Sequence, residues 1–388
     1  MAQDVGGSIG RMSESGEGPR IVARYQLTGR EAEARAAADR VCFDQTVEAA
    51  EESLPPGLRA EVVGRIEAFR LLSPARYEAA ISYPGRLLGG RCAGLLNLLF
   101  GTSSLRAGVR LLSFELPDEL LLRWRGPRLG IRGLRDATGV HDRPLVCAVL
   151  KPLGRSPRDL AELAAQFTRG GVDLIKDDQG LMDQSFCPFD ERIARCAEAV
   201  AQGAAERGRP CLYFPHVSGE PEEMRRRARR AVVAGAGGLL VAPGLTGFGA
   251  LQELADDEAC ALPIASHPSL LGTYGVDPDS GVAPAVLYGR LPRLAGADIS
   301  IYPTFGTGYA MTRSDCTAVA EACRAPWRQI TATLPTAAGR IAVEHVAELG
   351  ALYGRDVLFI LGSRIQQDPA GVAAATGRFV REIERAVG

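Results

Sequence analysis

The chain has 388 residues, 46% of them apolar, and a formal net charge of −1. That length suffices for a large core in one big domain or two, and the near-neutral balance removes the electrostatic reason to expect nucleic acid or an anionic membrane as partner. Nine cysteines without any C-x-x-C spacing argue against a disulfide framework or a zinc site and for reduced, buried thiols in a cytoplasmic protein.

In chain order, residues 1–20 (MAQDVGGSIGRMSESGEGPR) are polar and rich in glycine and serine. They predict a disordered tail, with no apolar core of the kind a signal peptide needs. Between 21 and 138 strand and helix patterns mix. RIVARYQLT alternates like a strand, GREAEARAAADRVCF has helical spacing, and RYEAAISYP and GVRLLSFELP return to strand character. LLGGRCAGLLNLLFGTSSL is apolar but broken by glycine. Strands and helices around one small sheet predict an α+β domain, ferredoxin-like in kind.

From 139 to 388 the texture changes. After HDRP (His141–Pro144) a unit repeats: a short apolar run ending in polar or glycine residues, then a helical stretch. The runs are Leu145–Leu150, Leu174–Lys176, Leu212–Pro215, Gly238–Pro243, Pro263–Ser266, Asp298–Tyr302, Ala332–Pro335 and Val357–Leu361. Eight runs in about 245 residues have the size and rhythm of a (β/α)8 TIM barrel, an α/β fold. A doubly wound sheet would bring a G-x-G-x-x-G after its first strand, and none fits. No stretch reaches the roughly 18 apolar residues of a transmembrane helix. The basic run Arg225–Arg230 follows Glu222 and Glu223 on a predicted helix and reads as a solvated outer face.

Barrel chemistry sits at the C-terminal ends of the strands. There the runs place Lys151, then Lys176-Asp177-Asp178-Gln179, His216, Pro243-Gly244, His267, Tyr302-Pro303, Ala338-Gly339-Arg340 and Gly362-Ser363. Of 45 lysines and arginines together, only Lys151 and Lys176 are lysine, and both fall on this face. Arginine can replace lysine on a solvated surface, but a guanidinium keeps its proton and cannot serve as base or nucleophile. Two lysines retained at the ends of adjacent strands therefore point to amine chemistry. Alternate residues of a strand share a face, so Lys176 and Asp178 point together, with Gln179 following. A Lys176 that has added CO2 is a carbamate, which joins its neighbours as oxygen donors for Mg²⁺. Without CO2, Lys176 and Asp178 would form a buried ion pair.

At this point GGVDLIKDDQ resembles the GG-D-KDDE segment of the large subunit of ribulose-bisphosphate carboxylase (RuBisCO), and LKPLGRSPRDLAELAAQFTRGGVDLIKDD extends the likeness over strand, helix and strand. CFDQTVEAAEES and LNLLFGTSSLRAGVRLLSFELP resemble that family's N-terminal domain, while ASHPSLLG and ADISIYP resemble its RuBisCO-like (form IV) branch. The resemblance implies that Lys176 is the carbamylated metal ligand, with Asp178 and Gln179 beside it, and that Mg²⁺ and CO2 are the cofactors. It implies that Lys151 handles the proton at the substrate's enolisable carbon and that His267 touches substrate near the metal. Gly339, Arg340, Gly362 and Ser363 would cradle a phosphate, and Asn97 would reach the site of a partner subunit in a homodimer.

Departures from the family pattern narrow the reaction. Gln179 stands where the family has glutamate and brings no charge. KPLG (Lys151–Gly154) lacks the carboxylases' second lysine, TFGTGYAMTR (Thr304–Arg313) has no lysine to hold CO2, and Pro268 replaces an arginine ligand of a second phosphate. Carboxylation of ribulose bisphosphate is not expected. The expected reaction is proton abstraction from a phosphorylated keto-sugar to give an enediolate, in an enolase or isomerase of the methylthioribulose-phosphate type. His216, outside the family's pattern, is a second candidate proton shuttle, or else a structural histidine. Two alternatives share the scaffold: a decarboxylase or C–C cleaving enzyme on a 3-oxo sugar-acid phosphate, and a non-catalytic regulatory or stress protein.

Overall fold

A computed structural model describes residues 18–387. Most of the expected tail, residues 1–17, lies outside the described residues. Its end is not tail: Pro19 accepts the Gly85 amide at 2.7 Å, and Arg20 opens the first strand.

The N-terminal sheet is antiparallel in the order β4-β1-β3-β2, from β1 (Arg20–Thr28), β2 (Arg65–Ser73), β3 (Arg76–Pro84) and β4 (Val109–Glu115). Helix Glu31–Asp44 joins β1 to β2 and helix Cys92–Phe100 joins β3 to β4, which completes the ferredoxin-like βαββαβ order. β1 runs where the alternation predicts and β3 where the strand-like segment RYEAAISYP lies. The sequence pattern does not announce β2, because RIEAFRLLS lies on the sheet edge and is exposed along most of its length. Pairing with β3 across a tight turn at Ala75 (φ +58°), not burial, makes it a strand.

The larger sheet has eight parallel strands in the order β7-β6-β5-β13-β12-β11-β9-β8. Its first half is β5 (Leu145–Leu150), β6 (Leu174–Asp177), β7 (Leu212–Phe214) and β8 (Leu239–Val241). β9 (Ile264–Ser266) follows, and the chain then leaves the barrel to form β10 (Gly281–Val282) before returning as β11 (Ile299–Ser300), β12 (Leu334–Ile341) and β13 (Leu358–Leu361). A parallel bridge between His216 and Leu240 joins the two ends of the sheet, supported by Leu240 N to Pro215 O at 2.9 Å and Val217 N to Leu240 O at 3.0 Å. The barrel is therefore closed by the backbone of a site residue. Each predicted run coincides with a strand, but β12 extends past the predicted Pro335 to Ile341 and so carries Gly339 and Arg340 within it.

β10 pairs in parallel with β4, adding a strand from the barrel to the N-terminal sheet. Asp279 pairs with Arg76 at 2.6 Å, and the Pro278 carbonyl accepts from Gln26 and Arg110, each at 2.9 Å. The loop that follows His267 is thus tied to the smaller domain.

The inward positions of the barrel strands, among them Cys147, Val149, Leu174, Phe214, Leu240, Ala265, Ile301 and Ile360, form one apolar cluster, the side-chain layers expected of such a barrel. All nine cysteines are free thiols, and only Cys211 is incompletely buried. In the basic run, Arg225 pairs with Glu253, Arg226 and Arg227 with Glu223, and Arg230 with Asp190, so most of its charge is neutralised on the helix surface. No helix among the described residues is long and apolar enough to cross a membrane.

Candidate active site

Strand alternation carries the apolar cluster upward into a polar layer. Cys147 and Val149 on β5 lead to Lys151, Leu174 on β6 leads to Lys176 and Asp178, Phe214 leads to His216, and Ala265 leads to His267. Both lysines and both histidines therefore converge on the C-terminal mouth of the barrel.

Lys176 is 5% exposed, and its Nζ donates to the Asp177 carbonyl at 3.0 Å. No ion pair joins it to Asp178, so the buried-pair alternative is not what the fold builds. Burial pushes the Lys176 amine below its ordinary range; Cys147 and Asp178 oppose that shift and the charge of Lys151 adds to it. A depressed amine is the form that can attack an electrophile. Asp178 accepts the Gly180 amide with Oδ1 at 2.9 Å, leaving its other oxygen uncommitted, and Gln179 is exposed.

Asp177, between two candidate ligands, faces the other way. Fully buried, it accepts from Arg192 Nε at 3.0 Å, Tyr213 Oη at 2.8 Å and the His216 backbone N–H at 3.0 Å. One carboxylate thus ties β6 to β7 and to the helix Phe189–Arg207. The sequence reading gave Asp177 no role. The available signal was two consecutive acids on a strand, of which only one can face the mouth, so the other needs a buried cation from the following helix.

His267 is held by Ser269, whose backbone N–H donates to Nδ1 at 3.2 Å. Nδ1 is then an acceptor and the proton resides on Nε2. Burial, with the charge of Lys176 behind it, keeps this ring neutral, well below the usual histidine range. His216 is fully buried, and among the described residues neither ring nitrogen completes a hydrogen bond. Burial lowers it to about 3, with Lys176 the next contributor. No side chain among the described residues hydrogen-bonds to its ring.

At the end of β12 the register with β13 slips between Ala337 and Ile341. Gly339 takes φ +97° and packs against Thr307, where a Cβ would lie 3.0 Å from the hydroxyl. Arg340 takes φ +58°, a left-handed conformation that costs a non-glycine residue about 1–2 kcal/mol. Its side chain is exposed and has no partner within the described residues. Gly362 donates to the Ile341 carbonyl at 3.0 Å, which brings the ends of β12 and β13, and so Gly339, Arg340, Gly362 and Ser363, side by side. Asn97 is not brought to this mouth. It is exposed on the helix Cys92–Phe100, which packs on the outer barrel helix Phe248–Asp256 through Cys92 N and Gln252 Oε1 at 3.1 Å.

Among the described residues no group of three or more His, Cys, Asp and Glu is arranged to hold a metal ion. A cation at the end of β6 would have to use an oxygen gained by Lys176. A surface cavity of about 230 Å3 lies elsewhere, between the outer helices Pro221–Val233 and Phe248–Asp256, lined by Met224, Arg225, Arg229 and Glu253. It lacks the convergent amines and imidazoles of the mouth.

Residues 130–382 match the family described as ribulose bisphosphate carboxylase large chain, catalytic domain. The chain is 37% identical to ribulose bisphosphate carboxylase-like protein 1 of Rhodopseudomonas palustris, over 94% of this chain and 97% of that one. It is 33% identical to the 5-methylthioribulose-1-phosphate isomerase of Rhodospirillum rubrum, over 94% and 96% respectively. Its fold superposes on the octameric ribulose-1,5-bisphosphate carboxylase/oxygenase of Pyrococcus horikoshii with a TM-score of 0.89 at 25% identity, covering 97% of this chain and 89% of that one. The closed parallel barrel, the ferredoxin-like sheet beside it and these likenesses lead to one assignment: the chain belongs to the RuBisCO large-chain family, among its RuBisCO-like proteins.

Proposed function

We propose that this chain transfers a proton at the carbon beside the carbonyl of a phosphorylated keto-sugar, through an enediolate. It would act as an enolase or isomerase on a substrate of the methylthioribulose-phosphate class and would not carboxylate ribulose bisphosphate. The observation that carries the reading is the convergence of Lys151 and Lys176 at the ends of adjacent strands, in a chain whose other basic residues are arginine.

Each residue then has a task. Lys151 takes the α-proton, which a guanidinium could not do. His267 presents a neutral Nε2–H to a developing negative oxygen. The backbone at Gly339, Gly362 and Ser363, with the guanidinium of Arg340, holds the phosphate. The family generally works with Mg²⁺ and a carbamylated lysine. The donors here fit a hard cation: a carbamate on Lys176, the free oxygen of Asp178 and the amide oxygen of Gln179 are all oxygen ligands, with one charge fewer than a glutamate would give. Mg²⁺ in that place would stabilise negative charge on the substrate oxygen. A homodimer in which the exposed Asn97 of one chain completes the mouth of the other accounts for its distance from its own mouth.

The test is deuterium wash-in. Incubated in D2O with methylthioribulose phosphate and Mg²⁺, the enzyme should exchange the α-hydrogen, followed by proton NMR, while giving no CO2 fixation on ribulose bisphosphate. No exchange with any phosphorylated keto-sugar would sink the reading. A second reading, decarboxylation or C–C cleavage of a 3-oxo sugar-acid phosphate, is favoured by two observations, the uncharged Gln179 and the unpaired Arg340, since both suit a more anionic substrate.

Arg340 supplies a separate prediction. Arg340→Gly removes a charged contact worth about 1.5–3 kcal/mol and should raise KM for the phosphorylated substrate by about tenfold or more. Because glycine takes a positive φ without strain, the melting temperature should hold or rise. A fall in both affinity and stability would mean that Arg340 is a structural residue.

A further inference from the structure

His216 is fully buried with both ring nitrogens unpartnered. A buried polar group left unsatisfied carries a penalty, and such a group in a folded protein calls for an explanation. The ring has little room to escape, because the backbone N–H of His216 is fixed on Asp177 at 3.0 Å and the same residue bridges to Leu240 to close the barrel.

Register shows what lies next to it. Lys176 pairs with Phe214 across β6 and β7, so His216, the next inward position after Phe214, stands level with Asp178. Lys176 starts one layer lower, and its Nζ reaches the Asp177 carbonyl at 3.0 Å. Lys176 is also, after burial, the largest influence on His216. A neutral imidazole has one N–H to give and one lone pair to offer, whereas an unmodified lysine offers only donors. Asp177 is already filled by Arg192, Tyr213 and the His216 amide. The Leu181 backbone lies near the ring and the free oxygen of Asp178 is level with it, but neither completes a hydrogen bond to a ring nitrogen, so an oxygen gained by Lys176 would give the ring N–H its acceptor.

Resting on the carbamate reading above, we propose that His216 is a positioning residue whose ring N–H donates to the carboxyl group of the Lys176 carbamate, and so sets how much of the protein carries the CO2 adduct. In the underlying step the neutral Nζ gives its lone pair to the carbon of CO2. An N–C bond forms, one C–O π pair becomes an oxygen lone pair, and one amine proton leaves to solvent. The product has two carboxyl oxygens sharing one negative charge. His216 holds one, and the other is left for a cation. The arrangement offsets Gln179: a cation held with less charge secures the adduct less well, and a fixed protein donor makes up part of the difference.

The experiment uses the full chain with 13C-labelled bicarbonate at mildly alkaline pH, with and without Mg²⁺, reading the carbamate carbon by 13C NMR. Lys176→Arg gives the zero level. Wild type and His216→Asn, which keeps an N–H donor, should show the adduct, while His216→Phe and His216→Leu should carry about tenfold less at the same CO2. Circular dichroism melts check that the variants fold. In parallel, addition of CO2 to 15N-labelled wild type should shift one buried histidine ring N–H, a readout that needs no variant. Equal adduct in folded His216→Phe or His216→Leu, or an unmoved ring signal while wild type carries the adduct, would overturn the role of His216 and leave the carbamate reading standing. No adduct in wild type would overturn both.

Discussion

Lys151→Arg will abolish α-proton exchange, lowering kcat by about 10²–10⁴-fold, the contribution expected of a positioned general base. The substitution keeps the positive charge and most of the stem, and Lys151 is only half-buried at the end of β5, so the fold and the affinity for phosphate should change little. The deuterium wash-in described above measures the loss, and a pull on KM alone would be the wrong pattern. If Lys151→Arg retains exchange within about tenfold of wild type, another group takes the proton and Lys151 is not the base.

Breaking the buried pair behind the site should have the largest effect on stability. Arg192 and Asp177 are both fully buried and meet at 3.0 Å. Asp177→Ala strips the guanidinium of its counter-charge and frees the Tyr213 hydroxyl and the His216 amide as well. Removing one partner of such a pair costs about 3–5 kcal/mol, a large share of the stability of an ordinary domain. Chemical denaturation should show the loss as a drop in midpoint without a change in slope. Adding Arg192→Met in the same chain should recover much of it, since an apolar side chain of similar volume no longer needs the carboxylate. A single-variant cost below about 1 kcal/mol would show the pair to be inert and the tie between β6 and β7 to reside in the backbone ladder.

Much of this architecture was legible because local patterns and global fold agree. β5 ends where its apolar run gives out at Leu150, β1 coincides with its alternating segment and β3 with the strand-like RYEAAISYP. The lysines stood out for a compositional reason: arginine is tolerated almost everywhere that a solvated cation is needed, and these two positions kept an amine. β2 and the two-residue β10 were not legible. An exposed edge strand has no buried face to impose alternation, and a strand of two residues is too short to carry any period.

What the sequence determined by itself is the class of molecule and the residue types at the strand ends, since hydrophobic period and lysine placement are properties of the chain read in one dimension. Only the tertiary structure decided which of two neighbouring acids faces the mouth. It turned Asp177 outward onto Arg192 and left Asp178 for chemistry. It also decided that the His216 ring is left without a hydrogen bond among the described residues, that Arg340 sits in a left-handed turn beside Gly362, and that the loop after His267 joins the N-terminal sheet. Each of these depends on barrel closure and strand register, which bring together residues far apart in sequence and which no local pattern encodes.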